Sequence, residues 1–145
     1  MVKNLQVFSS DAGIKKALVH SLISSMKKEF NLTISFLSIS FIKSNELRQI
    51  NKSFLKHDYN TDVITFDYSK KKNEIDAEIL ISIDDARKNA KKFKVTYGKE
   101  LTRLVIHGML HLLKFDDKDA ITKKIMKKEE NKLINKFNFT LLASK

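Results

Sequence analysis

With 145 residues and no cysteine, the chain is long enough for one domain with a sizeable core, and disulfides, thiolate nucleophiles and Cys-ligated metal centres are excluded. Its 42% hydrophobic and 31% charged residues exclude a disordered chain. Neither a signal-peptide core nor a run of about 18 apolar residues is seen, so a cytoplasmic protein without membrane association is expected. The 28 Lys+Arg against 17 Asp+Glu give a formal charge of +11, which favours a polyanionic partner. Of the basic residues only Arg48, Arg87 and Arg103 are arginines, a skew of the kind that genome base composition produces. Lysines meet phosphates as point charges and rarely read base edges, so backbone contact is expected more than sequence readout.

Periodicity divides the chain into elements. A short strand is expected near Leu5 and Val7, followed by a helix capped by Ser9 or Ser10 with Ile14, Leu18, Leu22, Met26 and Phe30 on its apolar face. Leu32, Ile34 and Phe36 alternate, as do Leu37, Ile39 and Phe41, and the change of parity between Phe36 and Leu37 predicts a bulge or bend. Ser44 opens a helix carrying Leu47, Ile50 and Phe54. A polar loop, Lys56 to Asp62, leads to a strand at Val63–Phe66, which the lysine-rich loop Ser69–Asn73 joins to Glu78–Ile83 as a hairpin. Helices follow from Asp84, from about Lys99 to Leu113 after Gly98, and from about Asp119 to Lys136; the tail FNFTLLA fits either period. The pattern predicts a single α+β domain over 1–145, with a small mixed sheet of about four strands and about five helices.

The chemistry concentrates in His107-Gly-Met-Leu-His111-Leu-Leu-Lys-Phe-Asp116-Asp117. Residues four apart on a helix share a face, so two imidazoles can meet one cation at about 2.0–2.1 Å each. A third ligand beyond the helix end would leave a coordination position open, and Asp116, Asp117 and Asp119 are all within reach. The same spacing also arises when one histidine is buried and hydrogen-bonded and the other lies on the surface. What favours a metal is the apolar helix around the pair, Leu104, Val105, Ile106, Met109, Leu110 and Leu112, where two buried imidazoles would each need a partner. A zinc-protease site would need Glu after the first histidine, and the residue there is Gly108. Glycine costs about 1 kcal/mol inside a helix relative to Ala, so close packing or substrate approach is expected at this point.

These residues resemble the YbeY family of single-strand-specific metallo-endoribonucleases, whose signature is H-G-x-L-H-L-x-G-Y-D-H followed by a helix with M-x-x-x-E. His107, Gly108, Leu110, His111, Leu112 and Asp116 match, and Met126 with Glu130 fits the following helix. Upstream, NKSFLKHDYNTDVITF (51–66) is similar to the family's N-x-x-Y-R-x-x-D-x-P-T-D-V-L-S-F, and Ala77–Ser82 stands in for G-D-I-x-I-S. The resemblance implies one Zn²⁺ per chain held by His107, His111 and Asp117, and hydrolysis of single-stranded RNA. It further implies rRNA as substrate, including maturation of the 16S 3′ end, 70S ribosome quality control, and contact with the ribosome or small-subunit assembly factors. A monomer is expected. The rival readings are an RNA- or ribosome-binding module with a structural metal, and a metal hydrolase of another class such as a protease.

Departures from the pattern carry consequences. Leu55 stands where the family has arginine, so Lys56, Lys114 or Arg103 would have to supply a point charge in place of a bidentate fork. Lys114 replaces a glycine, and a left-handed conformation there would cost about 1 kcal/mol. Candidate catalytic groups are Lys56, Glu78 and Asp116, with Glu78 either orienting the site or serving as an ordinary strand residue. Candidate RNA contacts are Arg87, Lys88, Lys91, Lys92, Arg103 and Lys114; the window 86–99 holds six basic residues and no acid, which also fits a solvated helix face. His57 and Asp58 are read as turn or cleft residues, Thr61 and Asp62 as partners of loop backbone, and His20 as structural. Finally, Asp117 stands where the third ligand histidine would be, and an anionic ligand leaves a coordinated water less acidic than imidazole does. The activity optimum is therefore expected at higher pH than in a His-liganded relative, and the pH–rate profile of Asp117→His should move to lower pH; coincident profiles for variant and parent would overturn this.

Overall fold

Residues 33–42 form the strand around which the chain is organised. In the computed structural model, which describes residues 1–54, 61–137 and 141–142, the elements are β1 (Leu5–Ser9), α1 (Lys16–Phe30), β2 (Thr33–Ile42), α2 (Ser44–Phe54), β3 (Val63–Asp67), β4 (Glu74–Ser82), α3 (Ile83–Phe93), α4 (Tyr97–Leu112) and α5 (Ala120–Phe137). The sheet order is β1-β2-β4-β3, with β1 and β4 parallel to β2 and β3 antiparallel to β4. This is the expected α+β arrangement, four strands and five helices among the described residues. None of these helices is long and apolar enough to cross a membrane.

The predicted bulge exists, one step earlier than the parity change placed it. The β2–β4 register shifts between Ile34 and Phe36, and Ser35 donates its hydroxyl to the Ile75 carbonyl at 3.1 Å. The shift lets Leu37, Ile39 and Phe41 return to the core beside Ala77, Ile79 and Ile81, all fully buried. The 69–73 loop turns the hairpin as expected, but β4 starts at Glu74 rather than Glu78, because the carbonyl of Asn73, a residue in the left-handed region (φ 61°), accepts from Thr33 N–H and seats the strand against β2.

The first helix differs from expectation. It starts at Lys16, with Lys15 in the cap position and no side-chain cap. Ser9 instead closes a tight turn with Asp11, accepting from its N–H at 3.0 Å. Ile14 is buried just before the helix, bridging to Leu142, and the buried helical face is Val19, Leu22, Ile23 and Met26. Likewise Phe54 is exposed rather than part of the apolar face of α2. Thr96 caps α4 by accepting from Lys99 N–H at 3.1 Å, so Gly98 lies within the first turn instead of breaking the chain before it.

The helix α4 packs over β3 and β4, and this contact answers the question posed by Gly108. A Cβ at that position would lie 3.0 Å from Ile79 Cγ2 and 3.2 Å from its Cδ1. The glycine therefore serves close packing of helix on sheet, and both ligand histidines ride on the helix it seats. Overpacking costs about 1–3 kcal/mol and the gain in helix propensity returns about 1 kcal/mol. Gly108→Ala should thus lower stability by about 1–2 kcal/mol in denaturant unfolding. In an Ile79→Ala background the cost should shrink; an equal loss in both backgrounds would refute the packing explanation.

Candidate metal centre

The end of α4 has the hydrogen-bond pattern of a Schellman turn. Phe115 N–H reaches Leu110 O and Lys114 N–H reaches His111 O, both at 3.0 Å, and Lys114 is in the left-handed region at φ 74°. The lysine thus adopts the conformation that a glycine would take freely, at a cost of about 1 kcal/mol. This turn swings the chain back so that Asp117 returns beside the helix. His107 Nε2 and His111 Nε2 are 3.1 Å apart, and Asp117 Oδ2 lies 3.8 Å from each. The three donor atoms fall within 4.8 Å of one another, the one such set among the described residues. Ligands about 2.0–2.1 Å from a tetrahedral ion are about 3.3 Å apart, so these spacings fit a shared cation.

Of the three aspartates within reach, geometry selects Asp117. Asp116 accepts from Lys118 N–H at 2.7 Å and holds the turn, and Asp119 accepts from Thr122 N–H at 2.9 Å and caps α5. Both are occupied by local backbone, as short acidic side chains in turns commonly are.

Behind the triad is a buried ionic cluster that was not anticipated. His107 Nδ1 is hydrogen-bonded to Glu130 Oε2 from α5. A carboxylate only accepts, so Nδ1 carries the proton and Nε2 turns its lone pair toward His111 and Asp117. Arg103 Nη1 donates to Glu130 Oε1 at 3.1 Å, while its Nε and Nη2 grip Glu100 at 2.8 and 2.7 Å. Asn89 extends the chain, donating to Glu100 at 3.0 Å and to Asp62 at 3.1 Å. Asp62 thus uses its side chain on Asn89 as well as its carbonyl on Ser82 N–H. Arg103 is accordingly not a solvent-facing phosphate ligand; its fork is committed to two carboxylates that are 1% and 4% exposed. The sequence signals were the apolar surroundings of Glu100 and Arg103, the four-residue step from Arg103 to His107, and the Met126–Glu130 match.

The electrostatics suit a cation. Burial alone would raise the Glu130 carboxyl, but the hydrogen bond to His107 and the Arg103 charge outweigh it and hold the group below the ordinary carboxylate range. Burial, with the neighbouring His107 second, pushes His111 below the ordinary imidazole range against the pull of Asp117, which keeps it neutral and able to ligate. Glu100, Glu130, Asp62 and Asp117 against Arg103 leave the surroundings of the paired imidazoles net negative, which suits a cation.

The other candidates lie apart from the triad. Glu78, half-buried on β4, accepts from Tyr68 OH at 2.7 Å. Arg87 pairs with Asp11 at 3.0 Å and lies 4.8 Å over the Tyr97 ring, whose hydroxyl also donates to Asp11. Lys88 and Lys91 are exposed on α3, and Lys92 sits 5.5 Å over Phe93. Lys114 donates to Asp67 at 2.8 Å. His20 accepts from Val2 N–H, a structural contact. Leu55, Lys56, His57 and Asp58 lie outside the described residues.

Outer partners of ligand histidines typically control metal affinity by about 10- to 100-fold. Glu130→Gln should raise the dissociation constant for Zn²⁺ by that factor in calorimetric titration, with the fold retained. Arg103→Met strands two buried carboxylates and should cost about 3–5 kcal/mol in unfolding experiments, part of which adding Glu100→Gln should restore.

Comparison with known proteins places the chain in a family. The family model for endoribonuclease YbeY matches residues 3–138. An endoribonuclease YbeY of Parabacteroides distasonis is 36% identical over 121 residues, covering 83% of this chain and 84% of the relative. That of Cytophaga hutchinsonii is 37% identical over 117 residues, covering 81% and 82%. A solution structure from Thermotoga maritima superposes with a TM-score of 0.62 at 24% identity, covering 92% of this chain and 91% of that one, a likeness of fold. With the family model matching residues 3–138 and these relatives more than 30% identical over most of the chain, the chain belongs to the YbeY endoribonuclease family.

Proposed function

We propose that this protein is a metal-dependent endoribonuclease that cuts single-stranded RNA. Its substrates are ribosomal RNAs, with maturation of the 16S 3′ end and 70S ribosome quality control as its roles. It works as a cytoplasmic monomer in contact with the ribosome or small-subunit assembly factors, with one Zn²⁺ per chain on His107, His111 and Asp117. The observation that carries this reading is the convergence of two Nε2 atoms and one carboxylate oxygen on a point backed by Glu130. Held there by His107, His111 and Asp117, a divalent cation would supply Lewis acidity to a phosphoryl oxygen or to water. Glu130 holds the proton on His107 Nδ1, and Arg103 holds Glu130, so the ligand face of the imidazole is fixed before any ion arrives. Three protein ligands leave a position open, as in catalytic rather than structural zinc sites.

The protease alternative lacks its base: the residue after His107 is Gly108, and a glutamate there would bring its Cβ to 3.0 Å from Ile79 Cγ2, so the packing that seats α4 disfavours it. A module with a purely structural metal would not need the open position.

Wild type should cleave single-stranded RNA in preference to duplex, lose cleavage on chelation and regain it with Zn²⁺. His111→Ala should fall by more than about a hundredfold, since even outer partners of metal ligands are worth up to that factor. Cleavage that persists unchanged in His111→Ala, once contaminating nucleases are excluded, would overturn the proposal.

A further inference from the structure

A cavity of about 490 Å³ lies beside the metal turn and plays no part in holding the ion. Its floor is apolar, built by Phe30, Ile75, Leu112, Leu113 and Phe115, and its rim is the hairpin loop with Lys70, Lys71 and Lys72. We propose that this cavity is a nucleotide subsite for the RNA strand, taking one unpaired base against the apolar floor and the adjoining phosphates on the lysine rim. The inference rests on the endoribonuclease reading and adds to it the place where single-strandedness is sensed.

Three features support the assignment. First, position: Lys114 lines the cavity and stands three residues from both His111 and Asp117, so its Cα is within about 11 Å of each along the chain. The cavity therefore adjoins the turn that carries Asp117 back to the histidines. Second, order: the rim is held in shape before any ligand arrives. Glu74 N–H bonds to Lys71 O, Asp76 N–H to Ser69 Oγ, Ser69 N–H to Asp67 Oδ1, and Thr33 N–H to Asn73 O. Lys114, donating to Asp67, ties the α4 exit to the same hairpin.

Third, chemistry: an apolar floor with aromatic edges next to a row of cations matches a nucleotide, whose base is flat and apolar on its faces and whose phosphate is anionic. Lys70, Lys71 and Lys72 are exposed and in no ion pair with a described residue, whereas Arg87 and Arg103 are already paired with carboxylates. A base in a duplex is stacked and paired and can enter such a cavity only by leaving the helix, so the cavity selects single strands by shape.

The test measures binding and cleavage separately, on the zinc-loaded full chain with a twelve-nucleotide oligouridylate. Lys70→Ala/Lys71→Ala/Lys72→Ala should weaken binding at least about tenfold at 0.1 M salt, and reduce the slope of log K against log salt by about 2, about 0.7 per lost contact. Phe30→Ala, on α1 rather than on the ligand turn itself, should weaken oligouridylate binding several-fold while leaving binding of inorganic polyphosphate unchanged. The control Lys15→Ala/Lys16→Ala/Lys43→Ala removes equal charge at the opposite end of the sheet and should change neither affinity nor slope by a comparable amount. Metal content should be wild-type throughout. Equal losses in both triple variants, or equal effects of Phe30→Ala on oligouridylate and polyphosphate, would overturn the subsite. Cleavage by wild type is read independently, so failure of the enzyme reading shows as absent cleavage with binding still scored, and failure of the subsite as intact binding in the hairpin variant.

Discussion

The structure depends on a buried ionic contact, Arg103 held between Glu100 and Glu130 beneath His107. Two carboxylates withdrawn from water would each cost several kcal/mol alone, and one guanidinium with five donors in a planar fork satisfies both. The contact does three things at once. It fastens α5 to α4, it sets the tautomer of a ligand histidine, and it leaves the site with negative charge. An apolar replacement could supply the first of these but neither of the others, which explains why a costly arrangement is kept at this place in the core.

The second constraint is steric. The ligand helix lies against β4 at a separation that favours glycine opposite Ile79, so a methyl group there would press on Ile79 and disturb the height of both imidazoles above the sheet. At its end the helix stops in a Schellman turn, and the left-handed residue that makes the turn is a lysine. That strained residue also supplies the ammonium that reaches Asp67, so the turn bringing Asp117 to the histidines is tied to the hairpin. Close packing on one side and a paired turn on the other make the site a property of the whole α4–β4–α5 assembly.

The net charge of +11 takes on a different meaning once the side chains are placed. Two of the arginines, which would make the stronger phosphate forks, face inward or sideways: Arg103 to buried carboxylates, Arg87 to Asp11 and Tyr97. The lysines of the hairpin loop remain on the surface beside an apolar cavity. Total charge describes attraction at long range, and the distribution of paired and unpaired cations describes where a strand would settle.

Much of this was legible in the residues. Alternation and helical period found the nine elements, with the starts of α1 and β4 misplaced by several residues, because each buries one face and the face sets the period. The parity change in residues 32–41 announced the bulge. The i, i+4 histidines in an apolar helix announced a candidate metal site, and Gly108 announced a close approach. Tertiary structure decided what lies far apart in sequence. That β4 inserts between β2 and β3 follows from parallel pairing across more than thirty residues, which no local signal encodes. The start of α1 moved to Lys16 because Ser9 found Asp11 as a nearer partner. Three aspartates were equivalent by spacing, and only the direction of the turn after Leu113 singled out Asp117, while local backbone bonds claimed Asp116 and Asp119. Arg103 read as a cation for the solvent until α5 folded across it. A sequence states which groups are charged and how far apart they are along the chain; whether a charge meets water, phosphate or a buried carboxylate depends on which element packs against it.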